Sequence, residues 1–478
     1  MRTLSFSMLL LAAASATAQI TPGHLVCTRV GDGVAVLTNA STAVFLDEFT
    51  LSGSLVQSIA LPTAAVGSQL PVTNSGTATS EGALTQSVDG RYLIAVGYGT
   101  PPGATGSVAS SSSATVNRVV CRIGLDGSID SSTALTDACN GNNFRGGVSL
   151  DGNQFWVCGA SSSGGARYVP GVGQTSSTQV STTLTNLRRL DVFAGQLYCT
   201  SSSGAFLGLS TVGTGLPTAS GETITLLNGF PTSTGPSSYD FFFADASTVY
   251  VADDRTNGQG GVQKWTESAG LWTLQYTLAP ASNVGCRGLS GFVDSGTTVL
   301  FATDNAGNLV TTVDMGPTST FTTLASSAPN TALRGVRFVR SPASTTVSGT
   351  GCATTAGLPT IGTSGGAPVT GNLNFAFTSG NAPAFTLVFF MLRGDAASPI
   401  GFPIPGAPAC ALTYLLPDVL LGLQADALGD TTLPLPIPGN VMLGGVTLAA
   451  QAAVLDLALT GYGLPIGTSP AVTIVVGN

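Results

Sequence analysis

The stretch RGLSGFVDSGTTVLFAT (287–303) contains an arginine, an alternating apolar strand, an Asp-Ser-Gly turn and a second strand rich in valine and phenylalanine. This order predicts an antiparallel hairpin. The pattern recurs along the chain, and its last copy has the first strand without the second. The other copies are EGALTQSVDGRYLIAVGY (81–98), RGGVSLDGNQFWVCG (145–159), RRLDVFAGQLYCT (188–200), YDFFFADASTVYVAD (239–253) and RGVRFVR (334–340).

The copies are regularly spaced. Most intervals between equivalent positions fall near the ~40–50 residues of one four-stranded propeller blade. The equivalent positions are Ala83, Arg145, Arg188, Tyr239, Arg287 and Arg334. The sequence therefore predicts an all-β protein with a β-propeller over residues 19–341.

The two ends of this region complement each other. Strands predicted at 24–33, 43–51 and 54–61 lack an innermost strand, and the unfinished last copy supplies one at 332–340. Closing the ring with that strand gives six blades and leaves no exposed sheet edge. Seven blades are the alternative if the region 43–80 contains a further blade.

The N-terminus has the three parts of a signal peptide over residues 1–18: Arg2, an apolar run over 4–14 and a small-residue cleavage site before Gln19. A membrane anchor is the alternative, but the run is shorter than the ~20 residues that span a bilayer. Nothing later in the chain predicts a transmembrane segment. We expect a protein that is secreted or held at the cell surface.

The amino-acid composition limits the classes of molecule that the protein is expected to bind. Charged residues make up 8% of the chain and the net charge is −8, which argues against nucleic acid, since phosphate binding requires clustered basic residues. The eight cysteines, an even number behind an export signal, favour disulfides. An extracellular polymer or a surface component is the expected partner.

The composition changes at a Ser/Thr/Pro-rich linker (342–350), and residues 351–478 predict a C-terminal β-sandwich. The Ala/Leu-rich run 446–460 is assigned as a buried strand, with a helix as the alternative. Cys352 and Cys410 are the only cysteines of this unit and are predicted to pair. In the propeller, the preferred pair is Cys121 with Cys139, whereas Cys158 and Cys199 are expected to be buried, unpaired thiols.

Three segments carry a resemblance: VGDGVAVL (30–37) with AVFLDEFTLSGSLVQSIALP (43–62), SVDGRYLIAVGY (87–98) and YDFFFADASTVYVADD (239–254). They resemble a bacterial family of secreted, largely uncharacterised β-propeller proteins. The C-terminal unit, with GTGC (349–352), LPIPGN (435–440) and AQAAVLD (450–456), is similar to a recurrent C-terminal β-domain of secreted bacterial proteins. The second resemblance implies a generic role such as surface retention, and neither implies a catalytic residue.

Four of the chain's 16 basic residues occupy one repeat position: Arg145, Arg188, Arg287 and Arg334. Each begins a predicted innermost strand, so the four guanidiniums are expected at one mouth of the central channel, with Glu81 and Tyr239 beside them. One interpretation is a site for an anion such as an acidic sugar, because arginine binds carboxylates bidentately. The other, which we favour, is structural, with each arginine bonded to the next blade.

Few residues suggest catalysis. His24 is the only histidine, which excludes the Ser-His-Asp triad, the Cys-His dyad and nearly every His-based metal site. Asp253 and Asp254 lie beside a Gly-rich turn and suggest calcium, although solvated turn carboxylates are the commoner explanation. No other cofactor is predicted.

The preferred function is non-catalytic binding, of a glycan or another acidic ligand, or a structural role outside the cell. A propeller hydrolase or lyase acting on extracellular material is the first alternative, and a self-assembling surface-layer component is the second. The contents of the channel mouth distinguish binding from catalysis.

Overall fold

Antiparallel strands account for almost all regular structure in this computed structural model. It describes residues 18–394 except 105, 257, 282 and 283, together with 402–404, 407–412, 417–460 and 464–478. Residues 402–404, 407–412 and Met442 are described by their backbone alone. Most of the predicted signal segment therefore lies outside the described residues. No helix in the described part of the chain is long and apolar enough to cross a membrane.

The propeller strands follow one another in groups. The first are β1 (Leu25–Val30), β2 (Ser41–Phe49), β3 (Leu55–Ala60) and β4 (Thr73–Ser75). Blade 2 contains β5 (Leu84–Gln86), β6 (Tyr92–Tyr98), β7 (Arg118–Gly124) and β8 (Ile129–Leu135), with a 3-10 turn at Val108–Ser110. Blade 3 contains β9 (Phe144–Ser149), β10 (Phe155–Gly159), β11 (Gly165–Val169) and β12 (Thr178–Gln179).

The remaining blades repeat this arrangement. Blade 4 contains β13 (Arg189–Phe193), β14 (Gln196–Ser203), β15 (Phe206–Val212) and β16 (Ile224–Leu226). Blade 5 contains β17 (Ser238–Asp245), β18 (Thr248–Asp253), β19 (Gly261–Ser268) and β20 (Leu271–Leu278). Blade 6 contains β21 (Cys286–Asp294), β22 (Thr297–Asp304), β23 (Asn308–Val313) and β24 (Thr322–Ser326), and β25 (Ala332–Phe338) follows.

The last propeller strand closes the ring. β25 pairs antiparallel with β1, with Leu25 opposite Phe338 and Val30 opposite Ala332, so blade 1 is made of β25, β1, β2 and β3. The innermost strands β5, β9, β13, β17, β21 and β25 contact one another in sequence around the ring. The prediction of six blades is confirmed. In the region 43–80, the extra strand β4 bridges β2 and β6 and does not begin a seventh blade.

Glycines after the repeated arginines allow the inner strands to approach closely. A Cβ on Gly288 would lie 2.5 Å from the carbonyl oxygen of Arg334, and one on Gly335 would lie 2.5 Å from the carbonyl oxygen of Gly82. Neither distance leaves room for a side chain. At these two repeats the glycine of the Arg-Gly dipeptide therefore sets the packing of neighbouring blades.

The C-terminal unit has two antiparallel sheets. The larger has the order β26 (Ser344–Ser348), β35 (Ile466–Val475), β34 (Thr447–Leu455), β29 (Leu387–Gly394), β32 (Val419–Gln424), and the smaller joins β27 (Thr360–Ser364), β28 (Ala376–Gly380) and β33 (Thr431–Pro434). A separate hairpin pairs β30 (Phe402–Ile404) with β31 (Ala407–Leu412), and a 3-10 turn covers Val441–Leu443. One hydrophobic cluster takes residues from both sheets, including Phe377 and Phe390.

Two predictions for the C-terminal unit can be compared with the structure. The run 446–460 contains strand β34, not a helix, and its alanines pack into the cluster between the sheets. The linker expected at 342–350 is largely strand, because Ser344–Ser348 pairs with β35 through the β-branched residues Thr345, Thr346 and Val347. The C-terminal unit therefore begins almost directly after the propeller.

The predicted disulfide between Cys121 and Cys139 is wrong. Both are free, buried thiols, and burial raises the pKa of each. Cys121 belongs to the cluster of Val119 and Ile123, whereas Cys139 packs in the cluster that contains Val120. Adjacent residues of a strand face opposite sides of a sheet, so the blade separates the two sulfur atoms.

The other cysteines fit the expectation in part. Cys158 and Cys199 are buried free thiols, as predicted, and Cys27 and Cys286 are buried free thiols as well. Cys352 is buried and is not one of the free thiols. The side chain of Cys410 lies outside the described residues, so its pairing with Cys352 stays a prediction.

A buried carboxylate joins blades 5 and 6. Asp314 accepts hydrogen bonds from the hydroxyl of Tyr250, from Lys264 Nζ at 2.8 Å and from the hydroxyl of Tyr276 at 2.7 Å. Burial raises the pKa of Asp314, but these three donors outweigh burial and hold the pKa below its ordinary value of 3.8. The charged form of Asp314 therefore stabilises the fold above pH 3.8, and this contribution is lost as the pH falls through the lowered pKa.

Asp314→Asn is expected to lower the free energy of unfolding at neutral pH by about 2 kcal/mol, because the amide accepts fewer of the three hydrogen bonds. The deficit should shrink as the pH falls below 3.8, because the carboxyl group then takes up a proton in the unfolded chain before it does so in the folded protein, whose pKa is lower. Urea unfolding at a series of pH values measures both effects. Asp151→Asn, at an exposed hairpin turn, serves as the control and should follow the wild type. A constant deficit across this range would contradict the prediction.

Candidate functional site at the channel mouth

The repeated arginines lie near the starts of the inner strands, within electrostatic range of Tyr239. The end of the channel formed by Arg188, Tyr239, Asp254 and Arg287 is called the mouth below. Tyr239 lies at its centre, with the guanidinium carbon of Arg188 3.9 Å from the ring centroid and that of Arg287 5.5 Å away. Arg189 lies beneath them, 6.0 Å from the same ring. The aromatic face therefore holds several cations together.

Two of the predicted arginines are bonded to the scaffold. Arg145 donates through Nη1 to Asn186 Oδ1 at 2.5 Å and to the carbonyl of Leu187 at 2.9 Å, both just before blade 4. Arg334 donates to the carbonyls of Ser75, Gly76 and Ala78, which precede blade 2. Burial lowers the pKa of Arg145, and it lowers that of Arg334 to about 10. These two side chains tie neighbouring blades together.

Glu81 also belongs to the scaffold, since its side chain is fully buried. Its carboxylate accepts hydrogen bonds from the backbone N–H of Ser75 at 2.8 Å, the Tyr98 hydroxyl at 2.5 Å and Asn143 Nδ2 at 2.8 Å. Burial raises the pKa of Glu81, which these donors and Arg334 partly oppose. The expected mouth residue Glu81 is therefore inaccessible to a ligand.

Arg188 and Arg287 are different, because they share one carboxylate and remain partly exposed. Arg287 Nε donates to Asp254 Oδ2 at 3.1 Å, and Arg188 Nη1 lies 3.9 Å from Asp254 Oδ1. The side chain of Arg287 is 24% exposed and that of Arg188 is 19% exposed. Among the described residues, Arg287 donates through Nε alone, which leaves its two terminal nitrogens without an acceptor in this part of the chain.

The carboxylates expected to bind calcium point to different partners. Asp253 is fully buried and is held by Arg255, whose Nε and Nη2 lie 2.9 Å and 2.6 Å from Oδ2. Asp254 faces the mouth between Arg188 and Arg287. Within the described residues, no three His, Cys, Asp or Glu side chains cluster as metal ligands would. Calcium at this pair stays a prediction.

A cavity of about 300 Å³ adjoins the mouth between blades 6 and 1. Its lining includes Arg287, Arg334, Thr77, Thr79 and Asn305. Asn305 donates through Nδ2 to the carbonyl of Asp254 at 2.8 Å, while its buried Oδ1 has no donor in the described part of the chain. The cavity thus places the side chains of Arg287, Thr77 and Thr79 side by side.

Charged side chains continue down the channel, and sequence reasoning missed them. Arg189 Nε lies 3.7 Å from Asp240 Oδ2, and Arg337 Nη2 donates to Asp191 Oδ2 at 2.8 Å. Burial raises the pKa of Asp240, while Arg189 and Arg337 oppose that rise. Arg189 and Asp191 alternate along one inner strand, and this period of two was the available signal for residues that share a face.

Comparisons with known proteins find similar solved structures but do not assign the chain to a family. No protein-family model matches the chain, and no curated protein matches it. Among solved structures, the chain is similar to a periplasmic gluconolactonase of Pseudomonas aeruginosa, with 14% identity, a TM-score of 0.36, and coverage of 86% of this chain and 100% of that one. It is also similar to a Trypanosoma rangeli sialidase, with 8% identity, a TM-score of 0.36, and coverage of 96% and 91%.

A third similar structure is an exo-β-1,3-galactanase of Phanerochaete chrysosporium, with 13% identity, a TM-score of 0.27, and coverage of 71% of this chain and 98% of that one. At these scores the class of the protein rests on its own strand pairing. That pairing defines a six-bladed β-propeller followed by a two-sheet β unit.

Proposed function

We propose that the channel mouth binds a carboxylate-bearing sugar chain without catalysis, and that the protein does this outside the cell. The observation that carries the proposal is the pair Arg188 and Arg287, two partly exposed arginine side chains that share the single carboxylate of Asp254. A ligand carboxylate would supply the second anion. Charge-assisted hydrogen bonds of this kind contribute about 1.5–3 kcal/mol each.

The neighbouring cavity supports a sugar acid over a simple anion. Its volume of about 300 Å³ falls at the lower end of the range for small-molecule sites. The exposed Thr77 and Thr79, which line it, would exchange hydrogen bonds with ligand hydroxyls. A carboxylate next to a hydroxylated ring matches Arg287 and these threonines together. The extracellular setting rests on the signal-peptide pattern of residues 1–18.

The test is calorimetric titration with an oligogalacturonate at low salt, compared with a neutral galactose oligomer of equal length. The acidic oligomer should bind at one site and the neutral one much more weakly. Arg287→Gln should weaken acidic binding at least about tenfold, the equivalent of one charge-assisted hydrogen bond. Asp254→Asn should strengthen it, because the competing carboxylate is gone.

Arg91→Gln is the matched control, since the Arg91 side chain is 59% exposed in the β5–β6 hairpin turn and faces only Asp89. It should bind the acidic oligomer as the wild type does. Equal affinity for the acidic and neutral oligomers, or unchanged binding by a folded Arg287→Gln variant, would refute the site. Release of reducing ends or of unsaturated products during the titration would refute the non-catalytic part and favour a hydrolase or a lyase.

A further inference from the structure

Two adjacent cavities of about 190 Å³ and 540 Å³ lie at the opposite end of the channel. They share the lining residues Phe242, Gly291, Phe338 and Arg340. We call them together the base cavity. It lies where the inner strands end, so the charged interior of the propeller separates it from the mouth.

Both parts of the chain form the walls of the base cavity. The propeller supplies its phenylalanines, and the C-terminal unit supplies Thr370, Gly371, Gly439, Val441 and Asn478. The two parts are joined beside it, since Ser295 N donates to the carbonyl of Gly439 at 2.9 Å and Ser341 N donates to Asn478 Oδ1 at 2.9 Å. Cavities at domain interfaces are frequent ligand sites.

The walls of the larger cavity are mainly apolar. Phe242, Phe292, Phe338, Val293 and Val441 face it, and Val441 packs on the cluster that contains Phe338. A cavity of this size, lined by aromatic rings, favours an apolar ligand body, because burying it removes apolar surface from water.

A charged side chain lies among these apolar lining residues. Among the described residues that line the larger cavity, Arg340 alone is charged. Its Nη2 donates to the carbonyl of Ser87 at 3.0 Å and its Nε to Gln86 Oε1 at 3.4 Å, while Nη1 has no acceptor among the described residues. In the smaller cavity, Asp191 is already paired with Arg337. Burial and the nearby Arg337 lower the pKa of Arg340, which an incoming anion would offset.

We propose that the base cavity binds an apolar carboxylic acid, with its acid group on Arg340 and its apolar body against the phenylalanines. Phosphate would match Arg340 but not the phenylalanines, and a neutral apolar molecule would match the phenylalanines but not Arg340. Because both parts of the chain form the walls, the bound acid also holds the C-terminal unit against the propeller. This site is independent of the channel mouth.

The test is calorimetric titration of the full chain with decanoate, below its micelle concentration, and with 1-decanol as the neutral counterpart. Decanoate should bind saturably at one site and about tenfold or more tighter than decanol, the equivalent of one charge-assisted hydrogen bond. Arg340→Gln should abolish this preference. Val293→Trp should weaken decanoate binding at least tenfold by filling the cavity.

The matched control is Val313→Trp, which places the same bulk at a 45% exposed valine of blade 6 outside the cavity and should leave decanoate binding unchanged. Absence of saturable decanoate binding, or equal affinity for decanol, would overturn the proposal. So would unchanged binding in a folded Val293→Trp variant. If that variant does not fold, a decanoate preference that persists in Arg340→Gln is the overturning result.

Discussion

Replacing Glu81 by alanine should lower the free energy of unfolding by about 4 kcal/mol, because the change leaves several buried donors without an acceptor, each costing about 1–3 kcal/mol. The donors are the N–H of Ser75, the hydroxyl of Tyr98 and the amide of Asn143. They come from the segment before blade 2, from blade 2 itself and from the start of blade 3. One carboxylate thus holds together three places in the ring.

Urea unfolding of Glu81→Ala, followed by tryptophan fluorescence, measures the effect. Tyr98→Phe is the graded control, since it removes one of the three donors and keeps the carboxylate, and it should cost about 1 kcal/mol. A loss below that of Tyr98→Phe would show that Glu81 does not join these segments. Glu81 would then again be a candidate for a ligand-binding residue of the channel mouth.

Gly335→Ala should cost about 3 kcal/mol, the upper part of the usual range for overpacking. The new Cβ would lie 2.5 Å from the carbonyl oxygen of Gly82 and 2.6 Å from the backbone nitrogen of Leu84. Both are backbone atoms of the neighbouring blade and have little freedom to move. The inner strand β25 would have to shift, and β25 is the strand that closes the ring.

Gly146 provides a matched control at the same repeat position. A Cβ there would lie 3.4 Å from the Cβ of Ala83 and 3.6 Å from the sulfur of Cys158, which are ordinary contacts. Gly146→Ala should therefore stay within about 1 kcal/mol of the wild type, since alanine also restricts the unfolded chain. Thermal unfolding of both variants makes the comparison. Equal losses would mean that the contact at Gly335 does not govern blade packing.

The sequence was sufficient to predict the propeller ring, because the inner-strand pattern repeats at regular intervals along the chain. Six copies of an inner strand, one of them without its partner, predict that β25 must pair with the N-terminal strands. The period-two pattern within each strand separates buried faces from exposed ones. These are local properties, and tertiary contacts did not change them.

The sequence was insufficient wherever the outcome depends on which groups meet in space. The repeat brought Arg145, Arg188, Arg287 and Arg334 to one end of the channel, but their carbonyl and carboxylate partners come from other blades. Cys121 and Cys139 lie close in sequence, yet a sheet separates them. The base cavity depends on how the C-terminal unit docks, and no pattern along the chain specifies that docking.

The pairing of β25 with β1 also determines the order in which the protein can mature. Val30 and Ala332 are partners although about 300 residues separate them. At synthesis rates of about 5–20 residues per second, β1 waits at least about 15 s for its partner. During that interval blade 1 has an open strand edge, which invites pairing with other chains. Keeping the emerging chain extended until its C-terminal third is available would protect that edge until the ring can close.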